Sequence, residues 1–206
     1  YGNAEGLVSS ILIANSKPII VAPAMNTNMW MNPAVVSNYK KLKTFKNTLS
    51  IDPLQGLLAC DQYGIGKIPT NDLIKLAIKY LLLQEIGDFN DLKNKSFLVT
   101  GGATTEKIDS ARMITNNSSG AMSLLLAQVA RFRGAKVTYI HGPLKLNAEI
   151  INGIESYEVQ SGAELNNLIK KEVDKYDYFF MNAAVADIKS KTNIIHKVPK
   201  NNLKDH

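Results

Sequence analysis

The sequence has few residues of the kinds that cross-link chains or bind metals, and it has no long apolar run. Cys60 is the single cysteine among 206 residues, which excludes a disulfide framework and favours a reducing cytoplasm. The three histidines, His141, His196 and His206, are isolated and lack ligand spacing, so no metal site is predicted. No apolar run reaches the length of a membrane span. These absences predict a cytoplasmic protein that binds no membrane.

Positive charge is in moderate excess. Lys and Arg number 24 against 18 Asp and Glu, which gives a net charge of +6, and such an excess can suit anionic partners. The lysines are dispersed and do not interleave with aromatic residues, so nucleic-acid binding is not predicted. A hydrophobic content of 45% suffices for one large or two modest globular domains.

Strand and helix patterns alternate in the first half of the chain. The predicted elements are a helix over 4–14, the strand Pro18–Ala22, a helix beginning at Pro33 with Asn32 as N-cap, a strand over 48–52, a loop over 56–69 and a helix from 71 or 72. Pro at the first helical position after an Asn N-cap is a typical helix start.

The same alternation restarts after the polar stretch GDFNDLKNK, residues 87–95. The predicted elements there are a buried strand over 96–100, a loop over 101–109, a helix from about Ser118 that Gly134 stops, a strand over 136–140, a helix that begins with a capping box of Ser161 and Glu164, and a second buried apolar strand, YFFMN, from 178. Alternation of this kind indicates parallel sheets covered by helices on both faces. We therefore predict an α/β protein of two domains, 1–86 and 96–206, joined by a linker at 87–95.

Three unusual stretches follow predicted strands, where α/β sheets bind ligands. They are PAMNTNMW, GGATTEKID and NAAVAD. In the first, Asn26 and Asn28 offer donors and acceptors to a polar ligand, and Met29 and Trp30 supply an apolar wall. The alternative is that Met29 and Trp30 belong to the core and that the asparagines cap turns.

Two further features leave more than one interpretation open. Cys60 lies in a glycine-rich stretch, where a thiol can act as an acid or a nucleophile, or can simply pack as a small apolar group. Gly101 and Gly102 could let backbone amides approach an anion, and so could the start of the helix near Ser118. The stretch fits neither the dinucleotide fingerprint nor the phosphate-binding P-loop pattern.

Four motifs in this order resemble one known family. VAPAMNTNMW, GLLACDQYGIGK, VTGGATTEKIDSARMITNNSSG and AAVAD are similar to motifs of the bifunctional flavoproteins of coenzyme A biosynthesis. Those proteins join a phosphopantothenoylcysteine decarboxylase to a phosphopantothenate–cysteine ligase. The resemblance implies a flavoprotein-like part in residues 1–86 and a Rossmann-like ligase part in residues 96–206. It also implies a piece of a longer protein that is inactive alone.

For the first half, the resemblance implies FMN as cofactor and 4'-phosphopantothenoylcysteine as substrate. Asn26 would hold the substrate carboxylate, and Cys60 would donate a proton in the reductive half of the reaction. Pro23, Met25 and Met29 belong to the same substrate-recognition motif. Asp61 and Gln62 stand where the family has Gly and Asp.

For the second half, the resemblance implies the nucleoside triphosphate CTP as a co-substrate, bound with Mg²⁺. Phosphopantothenate and cysteine would be the further substrates. Asn116 would stabilise the activated acyl intermediate. The residues expected to bind nucleotide are Gly101, Gly102, Ala183, Ala184, Ala186, Asp187 and Lys197. Ala121 and Pro199 depart from the family's lysine-containing motifs, and a homo-oligomer is expected.

Two other classes of function remain open beside this one. A dinucleotide-binding oxidoreductase of the NAD(P) type would explain the α/β pattern, although the glycine fingerprint is absent. A non-catalytic regulatory protein related to the decarboxylases would also carry a similar first half. Asn26 and Cys60 together, and the second half, favour the bifunctional enzyme.

Overall fold

The chain forms two compact units, Tyr1–Phe89 and Asn90–His206. The computed structural model describes residues 2–83, 90–146 and 148–190. The predicted linker therefore lies partly outside the described residues. Within it, residues 90–94 form turns, and the amide of Leu92 donates to the carbonyl of Arg133 at 2.9 Å.

The first unit contains four helices and two small sheets among its described residues. Its elements are α1 Leu7–Ala14, β1 Ile19–Val21, α2 Thr27–Trp30, α3 Pro33–Leu42, β2 Thr48–Ser50, β3 Leu54–Leu57, β4 Tyr63–Lys67 and α4 Asn71–Leu83. β1 and β2 are parallel, with Val21 opposite Ser50. The predicted start of α3 is confirmed, because Asn32 caps the helix by accepting the amide of Ala34 at 3.0 Å.

Residues 56–69, predicted as a loop, contain most of a β-hairpin. β3 and β4 pair antiparallel, and Gly56 lies opposite Gly64. The prediction was wrong because glycines occupy alternate positions where a strand pattern normally shows side chains. The Leu58 amide donates to the Gln62 carbonyl at 2.8 Å, which leaves a three-residue hairpin loop over 59–61, with Asp61 in the left-handed region at φ 58°.

The second unit is built on a four-stranded parallel sheet of strand order β10-β5-β8-β9. Its elements are β5 Ser96–Gly101, β6 Thr105–Lys107, β7 Met113–Thr115, α5 Ala121–Phe132, β8 Lys136–His141, β9 Glu155–Glu158, α6 Gly162–Glu172 and β10 Tyr178–Met181, with short 3₁₀ helices at Ala148–Ile151 and Val173–Lys175. Alternate residues of β5 face opposite sides, so Val99 packs with Leu124 of α5 and Leu98 packs with Leu165 of α6. The predicted parallel sheet with helices on both faces is confirmed.

Some second-unit predictions were wrong. The apolar strand YFFMN ends at Met181 and is exposed rather than buried: Tyr178 is 45% exposed and Phe180 is 43% exposed. β10 lies at an edge of the sheet in the described part of the chain, so an apolar composition alone did not predict burial. The predicted loop over 101–109 contains β6, which pairs antiparallel with β7.

The helix starts also differ in detail. α1 begins at Leu7, after Gly6, and not at residue 4. Ser161 caps α6 by accepting the amide of Glu164 at 3.2 Å. The Glu164 carboxylate accepts the amide of Gln160 at 2.9 Å. In a capping box this second bond would come from the amide of the N-cap residue itself, Ser161, so the predicted box is formed with the preceding residue.

Candidate active site

In the first unit, Asn26 lies where the loop after β1 becomes α2. Its Oδ1 accepts the amide of Asn28 at 2.8 Å and caps the helix. This bond sets which end of the side-chain amide is the oxygen, so Nδ2 is the group left to donate. Nδ2 lies 3.4 Å from Sγ of Cys60 and donates a hydrogen bond to it.

Two glycines of the hairpin allow this contact between residues that are 34 positions apart. The Met25 amide donates to the Gly66 carbonyl at 2.9 Å. Gly66 has φ +143°, and a Cβ there would collide with the Met25 carbonyl oxygen; a Cβ on Gly64 would collide with Oγ1 of Thr27. The hairpin can therefore lie against the loop only because these positions lack side chains.

The exposure of these side chains separates the two interpretations of the asparagine–methionine cluster. Cys60 is exposed and Met29 is 58% exposed, whereas Pro23 and Met25 are half-buried. Trp30 packs edge-on against Tyr39, with ring centroids 4.9 Å apart. Met29 is thus surface and not core, and Asn26 both caps a turn and meets the thiol.

In the second unit, the segment after β10 pairs with the segment after β5. The Thr104 amide donates to the Ala184 carbonyl at 3.1 Å, and the Ala184 amide donates to the Gly102 carbonyl at 2.8 Å. The Ala186 amide donates to Oγ1 of Thr104 at 2.9 Å. These bonds continue the β5–β10 pairing into the two loops at the carboxyl ends of the strands.

Asn116, which follows β7, joins the same place. Its Nδ2 donates to the Val185 carbonyl at 2.8 Å, and Oγ1 of the preceding Thr115 donates to the Thr104 carbonyl at 2.9 Å. Asp187 is exposed and lies two residues beyond Val185. The structure therefore brings Asn116 together with the Ala183–Ala186 segment.

Gly101 and Gly102 are buried and lie under the start of α5. A Cβ on Gly101 would collide with the hydroxyls of Ser123 and Tyr139, and Gly102 has φ +70°. These hydroxyls lie 2.8 Å apart, and burial raises the pKa of the Tyr139 hydroxyl, which therefore stays neutral. A Cβ on Gly120, the N-cap of α5, would lie 3.2 Å from the Gly102 amide nitrogen. Both predicted glycines thus serve close packing of backbone beneath the site.

Sequence reasoning missed Thr100, Thr104 and Thr115, whose hydroxyls bind backbone groups of the site. The Thr100 hydroxyl accepts the amides of Asn182 at 3.1 Å and Ala183 at 3.3 Å. For Thr100 the available signal was a threonine near the end of an apolar strand, because a buried hydroxyl there needs a partner. Lys197 lies outside the described residues.

None of the described helices is long and apolar enough to cross a membrane. Within the described ranges, no three His, Cys, Asp or Glu residues are grouped as a metal site would require.

Comparison with known proteins connects both units to one family. The family model "DNA/pantothenate metabolism flavoprotein C-terminal domain" matches residues 92–206. The chain belongs to this family. The model "Flavoprotein" matches residues 1–82, and the resemblance stated from the motifs is thereby confirmed.

Two curated relatives of the chain carry the same name. The chain is 36% identical over 202 residues to "Coenzyme A biosynthesis bifunctional protein CoaBC" of Borreliella burgdorferi, covering 98% of this chain and 50% of that protein. It is 35% identical to the protein of the same name from Bacillus subtilis, covering 97% and 48%. A crystal structure of the C-terminal domain of a CoaBC protein aligns with a TM-score of 0.47 at 33% identity, over 53% of this chain and 57% of that chain. The chain spans about half the length of the curated relatives it matches.

Proposed function

We propose that the chain carries parts of two enzymes of coenzyme A biosynthesis. The first unit would belong to an FMN-dependent phosphopantothenoylcysteine decarboxylase. The second would belong to a phosphopantothenate–cysteine ligase that uses CTP. The names of the curated relatives and the two family models support both assignments.

The contact between Asn26 and Cys60 is the observation that carries the decarboxylase proposal. A neutral amide can hold the substrate carboxylate by hydrogen bonds and still release it as neutral CO2, since no ion pair has to break. The Cys60 thiol lies next to that amide at 3.4 Å and is exposed. It can therefore donate a proton to the carbon of the enethiol that remains after CO2 leaves.

Bound FMN would supply the oxidation of the substrate's cysteinyl thiol and the return of the two electrons to the enethiol. The described residues fit a substrate site beside such a ring, because Met29 and Tyr63, each three positions along the chain from one member of the polar pair, expose apolar surface. Asn26 orients the carboxylate, and Cys60 holds the proton. Pro23 and Met25, which are half-buried, shape the loop that presents Asn26.

The convergence of Asn116 with the segment after β10 favours the ligase as the second activity. In that reaction the 4'-phosphopantothenate carboxylate attacks the α-phosphorus of CTP and pyrophosphate leaves; the cysteine amine then attacks the acyl carbon and CMP leaves. Asn116 has one N–H bonded to Val185, which leaves its oxygen and second N–H for the acyl-nucleotide.

The remaining nucleotide contacts would come from the segment after β10. Ala183, Ala184 and Ala186 are partly exposed and small, so a nucleotide can approach their backbone. The exposed carboxylate of Asp187 can accept hydrogen bonds from it, and Lys197 would contact the triphosphate. Mg²⁺ would enter with the phosphates, as it commonly does when a protein supplies few carboxylates. We further propose a cytoplasmic homo-oligomer.

The two alternative classes receive less support. For an NAD(P)-type oxidoreductase the glycine turn after β5 should be open to a pyrophosphate, but Gly101 and Gly102 are buried beneath the α5 start. A non-catalytic regulator has no need of the Asn26–Cys60 contact or of a second unit.

The full-length protein, loaded with FMN, tests both halves in separate assays. With 4'-phosphopantothenoylcysteine we expect CO2 and 4'-phosphopantetheine; with 4'-phosphopantothenate, cysteine and CTP we expect 4'-phosphopantothenoylcysteine and pyrophosphate. ATP in place of CTP measures nucleotide preference. A folded, FMN-loaded protein that forms neither product would overturn the proposal, and loss of one product would overturn that half alone.

A further inference from the structure

Five residues of the second unit close a ring of hydrogen bonds around the ligase site. The Thr104 carbonyl accepts Oγ1 of Thr115 at 2.9 Å, and Thr115 precedes Asn116 in the chain. Asn116 Nδ2 donates to the Val185 carbonyl at 2.8 Å, and Val185 precedes Ala186. The Ala186 amide returns to Oγ1 of Thr104 at 2.9 Å. We call these residues the Thr104 ring.

Thr104 joins both halves of this ring through different atoms. Its carbonyl binds the segment that carries Asn116, and its hydroxyl binds the segment that carries Val185. Its amide also donates to Ala184 at 3.1 Å. The residue is 1% exposed, so water cannot readily replace a bond that is lost.

The hydroxyl of Thr104 has a specific consequence for Asn116. If the Ala186 amide loses its acceptor, the Val185 carbonyl is no longer held where Asn116 Nδ2 meets it. The Asn116 side chain can then rotate away from the orientation that the Val185 bond imposes. The backbone bonds of Thr104 to Ala184 and Thr115 do not depend on the side chain and would persist.

We propose that Thr104 is a positioning residue of the ligase site, which acts on the reaction by fixing the orientation of Asn116 and the backbone of Ala184–Asp187. This inference rests on the proposed ligase function. It predicts two separable effects when the hydroxyl is removed. The kcat falls because Asn116 loses its orientation, and the KM for the nucleotide rises because the backbone of the segment after β10 is no longer fixed.

Kinetics of the full-length protein test this with Thr104→Val and Thr104→Ser. Valine keeps the shape and lacks the acceptor, and we expect kcat for ligation to fall about 10- to 100-fold, the size typical of small misplacements of reacting groups. Serine retains the acceptor and should recover most of that loss. Thr138→Val is the matched control: Thr138 is fully buried in β8 of the same unit and its Oγ1 accepts the Tyr176 hydroxyl at 2.7 Å, but it is not in the ring.

A double-mutant cycle with Asn116→Ala distinguishes positioning from general destabilisation. In the Asn116→Ala background, Thr104→Val should lower kcat by less than about 3-fold, because coupled residues give non-additive effects, while the rise in nucleotide KM persists. Independent, additive losses in kcat would overturn the inference, and so would equal kinetic losses in Thr138→Val.

Hydrogen exchange provides a readout that does not need ligase activity. Thr104→Val should speed exchange of the Ala186 amide by about 10-fold or more, since the amide loses its acceptor, whereas Thr104→Ser and Thr138→Val should not. If the full-length protein has no ligase activity but Thr104→Val still speeds exchange of the Ala186 amide, the proposed function is refuted and the structural role of the Thr104 hydroxyl stands. Unchanged exchange in Thr104→Val would overturn the positioning role whatever the activity.

Discussion

Asn26 donates a hydrogen bond to the thiol of Cys60 across 3.4 Å, although 34 residues separate them. The same side chain accepts the amide of Asn28 at 2.8 Å, so the helix cap fixes which end of the Asn26 amide faces the sulfur. One polar group that can hold a carboxylate and one group that can deliver a proton are therefore held side by side. This arrangement leads to separate predictions for the two residues.

Cys60→Ser should allow decarboxylation of the substrate but block reduction of the enethiol. Serine can keep the hydrogen bond from Asn26, but its hydroxyl is a far weaker acid than a thiol. We expect one CO2 per bound FMN, with the enethiol, lighter than 4'-phosphopantetheine by two hydrogens, accumulating to the same amount because the reduced flavin keeps its two electrons. Mass spectrometry of the quenched reaction measures the two species. Normal 4'-phosphopantetheine output from the serine variant would rule out Cys60 as the proton donor.

Asn26→Asp should remove activity without unfolding the loop. The carboxylate still caps α2 about as well as an amide, so the free energy of unfolding should change by less than about 0.5 kcal/mol. It cannot donate to the substrate carboxylate and repels it, so we expect a fall in decarboxylation of about 100-fold, comparable to loss of one active-site donor.

Asn32→Asp is the matched control for this change. Asn32 caps α3 by the same kind of bond, to the Ala34 amide at 3.0 Å, and has no proposed contact with substrate. We expect it to leave both stability and decarboxylation near the unsubstituted values. A similar loss of decarboxylation in both variants would mean that a negative charge in this region, and not the lost donor, disables the enzyme.

The elements that the sequence predicts well are those with strong local signals. Val99 and Leu98 alternate faces of a strand that is buried on both sides, which a continuous apolar run indicates. Asn32 followed by Pro33 marks a helix start through its own side chains. Such signals require no knowledge of distant parts of the chain.

The failures have a tertiary origin. An apolar strand such as β10 is predicted to be buried, but its position at the sheet edge in the described part of the chain leaves Phe180 43% exposed. The β3–β4 hairpin was missed because its glycines serve contacts with another segment and not strand propensity. For the same reason Asn26 and Cys60 could be proposed singly, whereas their contact depends on how the hairpin packs.

Gly66→Ala should disturb the first-unit site more than Gly56→Ala. At Gly66 a side chain must adopt φ +143° and collide with the Met25 backbone, which we expect to cost about 2–4 kcal/mol. At Gly56 the nearest atom is Cδ of the Lys67 side chain, 2.8 Å from a Cβ, and this flexible chain can move. Urea unfolding and decarboxylation should both separate the variants; equal effects would show that the hairpin does not need Gly66 to approach the loop.

Protonation of Asp91 should make the second unit less stable in acid. The Arg133 guanidinium, which hydrogen-bonds Asp91 through Nε at 2.9 Å, lowers the pKa of the Asp91 carboxyl below its usual value, chiefly through that bond. Because the pKa is lowered in the folded state, the unfolded chain binds more protons in acid. The stabilisation is therefore present above the unfolded pKa of about 4 and is lost as the pH falls through the folded pKa.

Asp91→Asn removes this titration and should flatten the acid limb of the stability curve. The Asp91 and Arg133 side chains are 44% and 39% exposed. Solvent screening therefore limits the contribution of this ion pair to the free energy of unfolding at pH 7 to about 1 kcal/mol or less. Thermal unfolding from pH 7 down to about pH 3, at low and at high salt, provides the measurement. The two proteins should differ most at neutral pH and low salt and converge in acid, because protonated Asp91 no longer attracts Arg133. A constant difference at every pH would mean that the substitution acts through packing and that the ion pair contributes nothing measurable.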